Sequence, residues 1–284
     1  TRATATLRQL HIPPNVMLHP KNTHMRTCFK ILGLLIIIGM IGCEKEKTTL
    51  PSGIYLSKVI YHQNVDQIRH YYYNNQGLLS TREYEFNDII TERFDYQYKN
   101  GLISRIDYYG LNSYNDYNLY HSDYVTYNYE SNNIIESTRF SGGTSIIYEY
   151  NPNNRVIKKI SSSSSYTKYS YDNNGNIQQA IVFKDGVEYW KFFYEYDEKH
   201  NPFLNVEPIH DQFAGVDFIH FKCPNNLTKE IFINENKDTV SISEFIYQYN
   251  SDNLPIQSYE LFTSESNGYD RDSMNLQLYE YEIK

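Results

Sequence analysis

Histidines, carboxylates and thiols are the groups in this chain able to do chemistry. Beyond residue 43 the chain carries six histidines: His62, His70, His121, His200, His210 and His220. Of the candidate metal ligands, His210, Asp211, Asp217 and His220 fall within eleven residues, and imidazole with carboxylate suits zinc. Their segment straddles an expected loop and an expected strand, so spacing alone does not bring them together. The sequence contains no HExxH helix pair, no GxSxG elbow and no phosphate- or dinucleotide-binding glycine loop. With 34 acidic residues, some pair of carboxylates is bound to face another, so a glycosidase-like pair cannot be singled out. Turn stretches such as Asp172–Asn176 (DNNGN) offer oxygen ligands without the spacing of a calcium loop. The sequence therefore names no catalytic residue, no metal site and no cofactor. Cys223 is the one thiol of the body. It has no partner for an internal disulfide and reads as a small buried hydrophobe.

The other thiol that matters is Cys43. Upstream of it stand Arg26 and Lys30, then an apolar run, Ile31–Ile41 (ILGLLIIIGMI), then Gly42. Eleven apolar residues are too few for a membrane-spanning helix of about 20, but they fit the h-region of a secretory signal. Gly42-Cys43 after that run resembles a bacterial lipoprotein signal, with Met40 where Leu is usual. The resemblance implies cleavage before Cys43 and acylation of its sulfur. The expected start is Met25, with Met17 as the alternative, so residues 1–24 read as an upstream extension, 25–42 as the signal and 43–51 as a polar tether. Residues 1–42 hold five basic residues and no acid, which leaves 21 basic and 34 acidic residues and a formal charge of −13 on the remainder. Such a charge argues against nucleic acid, whose affinity comes largely from phosphate neutralisation. It also argues against docking on anionic headgroups by charge, leaving acyl chains as the membrane link.

Residues 52–284 form the domain expected to carry any site. Its organisation is written in tyrosine, 30 in the whole chain. Tyr-x-Tyr recurs at Tyr71, Tyr96, Tyr127, Tyr148, Tyr169, Tyr194, Tyr247 and Tyr279. The spacing of two places both rings on one face of a strand. Asp or Asn often follows, then Asn or Gly, residues that start turns and tolerate positive φ. An apolar pair such as Leu78-Leu79, Leu102-Ile103, Ile134-Ile135 or Val156-Ile157 opens the returning strand. Each unit is thus a hairpin, and recurrence at 21–53 residues marks a repeat architecture. The widest step, between Tyr196 and Tyr249, is broad enough to hide a degenerate unit. Asn201–Gly215 (NPFLNVEPIHDQFAG) lacks alternation and is the expected non-sheet insertion, with strands resuming at 216–221 and 230–233. Mean hydropathy is low at −0.63, which tyrosine explains: it buries a ring while its hydroxyl stays hydrogen-bonded or wet.

The unit Tyr169–Ile177 (YSYDNNGNI) resembles the YD repeat of Rhs-type proteins through Tyr169, Tyr171, Asp172, Gly175 and Ile177. The looser copies, with YEYDEKHNPF at Tyr194–Phe203, resemble Tyr-rich lipoproteins of the Bacteroidetes type. That resemblance implies the fold and no reaction.

The expectation is an all-β antiparallel meander of hairpins, a twisted open sheet, with a closed barrel as the alternative. The expected function is a lipid-anchored module of the outer membrane, non-catalytic, that binds a glycan or an envelope protein. The alternatives are an envelope hydrolase with its chemistry in the 200–220 insertion and a purely structural repeat. Tyr71, Tyr73, Tyr108 and Tyr109 are the candidate ligand-binding rings.

Overall fold

The structure, a computed structural model, describes residues 53–62, 66–113, 116–131, 133–204, 206, 222–264 and 271–284. The proposed signal, Cys43 and the tether lie outside them. Among the described residues, sixteen strands run in chain order from β1 (Ile54–His62) and β2 (Gln67–Tyr73) to β15 (Pro255–Ser264) and β16 (Arg271–Ile283). Every strand pairs antiparallel with its sequence neighbours, and β1 also pairs with β16, for example Ile60 with Leu278. The sheet is therefore a closed up-and-down barrel. The all-β meander is as expected; the open sheet is corrected to its alternative, because β1–β16 pairing removes both free edges.

Closure has a local cause. Where each Tyr-x-Tyr strand meets its successor, the register slips just before the second tyrosine. This occurs at Tyr72/Tyr73, Gln97/Tyr98, Asn128/Tyr129, Glu149/Tyr150, Ser170/Tyr171, Glu195/Tyr196 and Gln248/Tyr249, and across the closure at Leu56/Lys58, opposite Glu280 and Tyr281. A bulge bends a strand and raises its twist. Repeated around the sheet, they coil it until its edges meet.

The eight Tyr-x-Tyr motifs sit at the ends of the eight even strands, β2 to β16, so all of them circle one end of the barrel, the clamp end. The second tyrosines stitch each repeat to the one before. Tyr98 donates to the Leu79 carbonyl at 2.7 Å, Tyr129 to Ile103 at 2.6 Å, Tyr150 to Ile134 at 2.8 Å and Tyr171 to Val156 at 2.6 Å. Tyr281 donates to Pro255 at 2.6 Å, and Tyr73 reaches across the closure to Leu56 at 2.7 Å. Each acceptor except Leu56 is the first or second residue of a strand and pairs with the preceding second tyrosine, as Leu79 does with Tyr73; Leu56, in β1, pairs with Tyr281. Burial holds the Tyr98 and Tyr129 hydroxyls up to about 12.

Four of the turns after the motif share one geometry. Asn74, Asn151, Asp172 and Asn250 each accept from the backbone N–H groups two and four residues on. Three residues on, φ is positive: +73° at Gly77, +58° at Asn154, +97° at Gly175 and +59° at Asn253. The Asn/Gly preference in the sequence is this requirement.

The interior is packed by the first tyrosines. Tyr71, Tyr96, Tyr127 and Tyr279 belong to one buried cluster with Leu56, Val59, Phe94 and Ile106. Tyr148 and Tyr169 belong to a second with Val156, Ile177 and Cys223.

Among the described residues the wide step shows no extra unit. It holds β13 (Asn225–Ile233), part of β14 (Thr239–Tyr249) and, from Asn201, a non-strand segment that plugs the clamp end. Pro202, Phe203 and Val206 are buried, and Phe203 meets Tyr279 edge-on at 6.1 Å. Asn201 braces the turn, donating to the Cys223 carbonyl and accepting from the Phe203 N–H. The expected insertion is thus a turn-rich plug as far as Val206, and the strand expected at 216–221 lies outside the described residues.

Candidate functional site

Inside the barrel, a cavity of about 180 Å³ lies where the plug meets strands β13, β14, β16, β1 and β2. Phe203 and Asn201 close it from the plug side, Asn226 and Leu227 from β13, Phe245 and Tyr247 from β14. Tyr61, Arg69, Gln277 and Tyr279 complete the wall. These positions face inward because strand alternation and register put them there: Val59 pairs with both Arg69 and Tyr279, and Tyr61 with Gln277. At about 30 Å³ per water, the volume holds roughly six waters, or one small polar ring.

The polar atoms of this wall are oriented. The Tyr279 hydroxyl donates to Gln277 Oε1 at 3.0 Å and shares a 2.9 Å hydrogen bond with Ser258 Oγ. Tyr247 donates to the Leu227 carbonyl at 2.9 Å. Burial raises the Tyr247 hydroxyl well above its ordinary range, so it stays a neutral donor.

From the cavity a wall of rings and guanidinium groups runs around the interior. Arg69 lies 4.5 Å from the Tyr61 ring centre and 4.9 Å from that of Tyr84. Arg82, 1 % exposed, lies 5.3 Å from Tyr84 and 4.3 Å from Phe94. Phe94 in turn packs on Tyr108 at 5.1 Å. Desolvated cation–ring contacts of this kind contribute on the order of 2 kcal/mol each. Across the barrel, burial and then the neighbouring Glu260 hold the Glu230 carboxyl above its usual range. Asp123, also inward, is the opposite case. Burial alone would raise it, but hydrogen bonds from the Ser141 hydroxyl, Arg139 and the backbone N–H groups of Ser141 and Tyr124 bring it down to about 2.

The four candidate tyrosines do not form one site. Tyr71 is core at 2 % exposure. Tyr73 is a stitch of the clamp ring, tilted against Tyr55 at 4.9 Å. Tyr108 faces inward, its hydroxyl raised by burial and then by Glu92. Tyr109 faces outward, edge-on to His121 at 5.2 Å. On that outer face the covered Asp107 carboxylate accepts from Gln97, Arg105 and His121, and burial works against these partners, which lower it overall. His210, Asp211, Asp217 and His220 lie outside the described residues, and no group of three metal-ligating side chains occurs among the described ones. Sequence reasoning missed Tyr61, Arg69 and Gln277, which belong to no repeat motif; only their alternation with neighbouring inward positions marked them.

Cys223 is 1 % exposed. Its sulfur accepts from the Ile177 N–H and donates to the Tyr196 hydroxyl, each at 3.3 Å. It thereby links Tyr196 to Ile177 where six other second tyrosines reach a backbone carbonyl directly; Tyr249 departs as well, donating to the Asp197 carboxylate. Burial pushes its thiol up to about 11.

Against solved structures, the barrel is similar to a porin-like protein from Bacteroides uniformis. The TM-score is 0.55 at 12 % identity, over 80 % of this chain and 98 % of that one. The similarity is one of fold. A porin-like protein from Bacteroides vulgatus aligns at TM-score 0.41 and 12 % identity, over 80 % and 98 % of the two chains. The Photorhabdus luminescens Tc holotoxin pore aligns at 0.27 and 10 % identity, over 77 % of this chain and 15 % of that one. Scores that low carry no argument. No protein-family model and no curated protein matches the sequence.

Proposed function

We propose that this is a lipid-anchored protein of the bacterial outer membrane whose barrel is a non-catalytic binding module, with the interior cavity as its ligand site. One observation carries the reading: aromatic rings, the side-chain amides of Asn201, Asn226 and Gln277 and one guanidinium converge on one small, partly open pocket. Rings stack on the apolar faces of a sugar, while amides and hydroxyls hold its hydroxyl groups. The ionisable side chains of the wall are Arg69 and three tyrosines, which supply no nucleophile with an adjacent base. The porin-like fold neighbour fits an envelope setting, and the Gly42-Cys43 sequence supports the anchor.

The outer surface supports a barrel attached to a membrane rather than one threaded through it. Spanning barrels present an apolar band on every strand. Here Lys58–Glu280, Glu149–Lys158 and Lys229–Glu244 pair on the outside at 2.8, 3.0 and 3.5 Å.

The test is ligand-observed NMR on the purified full chain with a panel of neutral and acidic mono- and oligosaccharides. One sugar class is expected to bind, and Gln277→Ala and Tyr61→Ala to weaken it about tenfold or more, the loss of one or two good contacts. A panel that gives no binding, or binding unchanged by both substitutions, overturns the reading.

A further inference from the structure

The outside of the barrel carries charged rows and apolar rows. On β3 (Leu79–Phe86), β4 (Ile89–Lys99) and β5 (Leu102–Ser113) they are charged: Glu83 pairs with Arg93, and Asp95 with Asp107. One apolar row, Ile147 with Ile160, Tyr166 and Phe183, runs on the side away from the closure. From β14 through β16 to β1 and β2 apolar rows alternate with polar ones such as Gln248 with Gln257 and Lys58 with Glu280. Ile246 pairs with Tyr259 and Tyr259 with Leu276, while Leu278 pairs with Ile60 and Ile60 with Ile68. Around these rows the most exposed aliphatic side chains of the flank project, Ile246 at 55 %, Ile256 at 42 % and Ile283 at 86 %. Contiguous apolar surface of this kind marks an interaction site, whereas single exposed residues do not.

We infer that this flank rests on the lipid surface to which the chain is anchored, an inference that depends on the anchored reading above. β1 stands inside the apolar field, and β1 is the strand the tether runs into. Nine residues lie between Cys43 and Gly53, so the ten steps from one to the other reach at most about 35 Å. Nine residues of β1 span about 30 Å, so the tether is long enough to let the flank lie on the membrane and too short to carry it far away. The chemistry suits the headgroup boundary rather than the hydrocarbon interior. The Lys58–Glu280 pair at 2.8 Å sits between the apolar rows, and a charge on a lipid-facing strand costs far less at the interface than at the midplane. Aliphatic side chains, with charges free to reach the headgroups, are what an interfacial face requires. The net negative charge of the body leaves apolar contact, not charge, to hold it there.

Trp190 is the single tryptophan, so a Trp190→Phe background permits one probe at a time. Ile246→Trp reports on the apolar flank and Ile147→Trp, at an outward position 47 % exposed on β8 (Ser145–Tyr150), on the far side. The full acylated chain is bound to phosphatidylcholine vesicles with brominated acyl chains and recovered by flotation. Tryptophan at 246 is expected to lose most of its emission relative to unbrominated vesicles, and tryptophan at 147 to keep it. Equal quenching at both positions, or none at either on floating protein, overturns the inference while sparing the anchor. Emission at 246 shielded from both bromine and aqueous quencher also overturns it, in favour of a second copy of the chain on this flank. Flotation no better than that of Cys43→Ser removes the anchored reading, and the inference with it.

Discussion

The ring of tyrosine stitches makes a quantitative claim. In Tyr171→Phe the ring that fills the interior is kept and one atom is lost, the hydroxyl that donates to the Val156 carbonyl at 2.6 Å. A hydrogen bond contributes a net 0.5–1.5 kcal/mol, and a buried acceptor left without its partner costs about 1–3 kcal/mol. Val156 is 2 % exposed, so water does not replace the donor. The expected destabilisation is about 1–3 kcal/mol, which for a domain of this size lowers Tm by roughly 3–8 °C. Tyr73→Phe, which breaks the stitch across the closure to Leu56, is expected to cost the same. The two sites share no partner, so the double variant should show the sum within about 0.5 kcal/mol. Tyr72→Phe, at 46 % exposure, is the control and should stay within about 0.5 kcal/mol of the parent. The assay is urea unfolding followed by circular dichroism. Equal stability of Tyr171→Phe and Tyr72→Phe would refute the idea that the hydroxyls, and not only the rings, hold the repeats together.

Other consequences are as direct. Tyr98 and Tyr129, held up to about 12, contribute stability that is complete below the free-phenol value near 10 and is lost as pH rises from 10 to 12. Two units correspond to about 2.7 kcal/mol each, reduced to about 1–2 kcal/mol by partial exposure; phenolate absorbance and circular dichroism should therefore change together in that window, and phenolate formation without unfolding would count against it. On the acid side, Asp123 at about 2 adds stability present above pH 4 and lost as pH falls from 4 to 2, so Asp123→Asn should flatten the acid limb of a stability profile. Gly175, at φ +97° with Arg155 Nη2 only 2.6 Å from where a Cβ would stand, should tolerate Asn better than Val, because Asn154 and Asn253 occupy the same turn position; equal thermal stability of the two variants would disprove the shared turn. In a chain with Cys28→Ser and Cys43→Ser, Cys223 should react with a disulfide reagent only as fast as the protein unfolds, and fast labelling of the native state would contradict its burial.

Much of the fold was legible in one dimension because its instructions are local. Tyr-x-Tyr sets a strand face, and Asp172 with Gly175 closes a turn through bonds that span four residues. Repetition of those two devices yields the meander, its hairpins and the burial of the first tyrosines. Closure was not legible. It depends on bulges, which arise from how two strands meet, and on pairing of Ile60 with Leu278, residues more than two hundred positions apart. The plug was visible as a break in alternation, but its seat against Tyr279 was not. The cavity was hidden for the same reason. Tyr61, Arg69 and Gln277 belong to no motif, and a register between distant strands turns them toward one another. Local periodicity determines which side of the sheet a residue takes; only the closed circle decides what it meets there, because inside and outside exist only once the first strand has found the last.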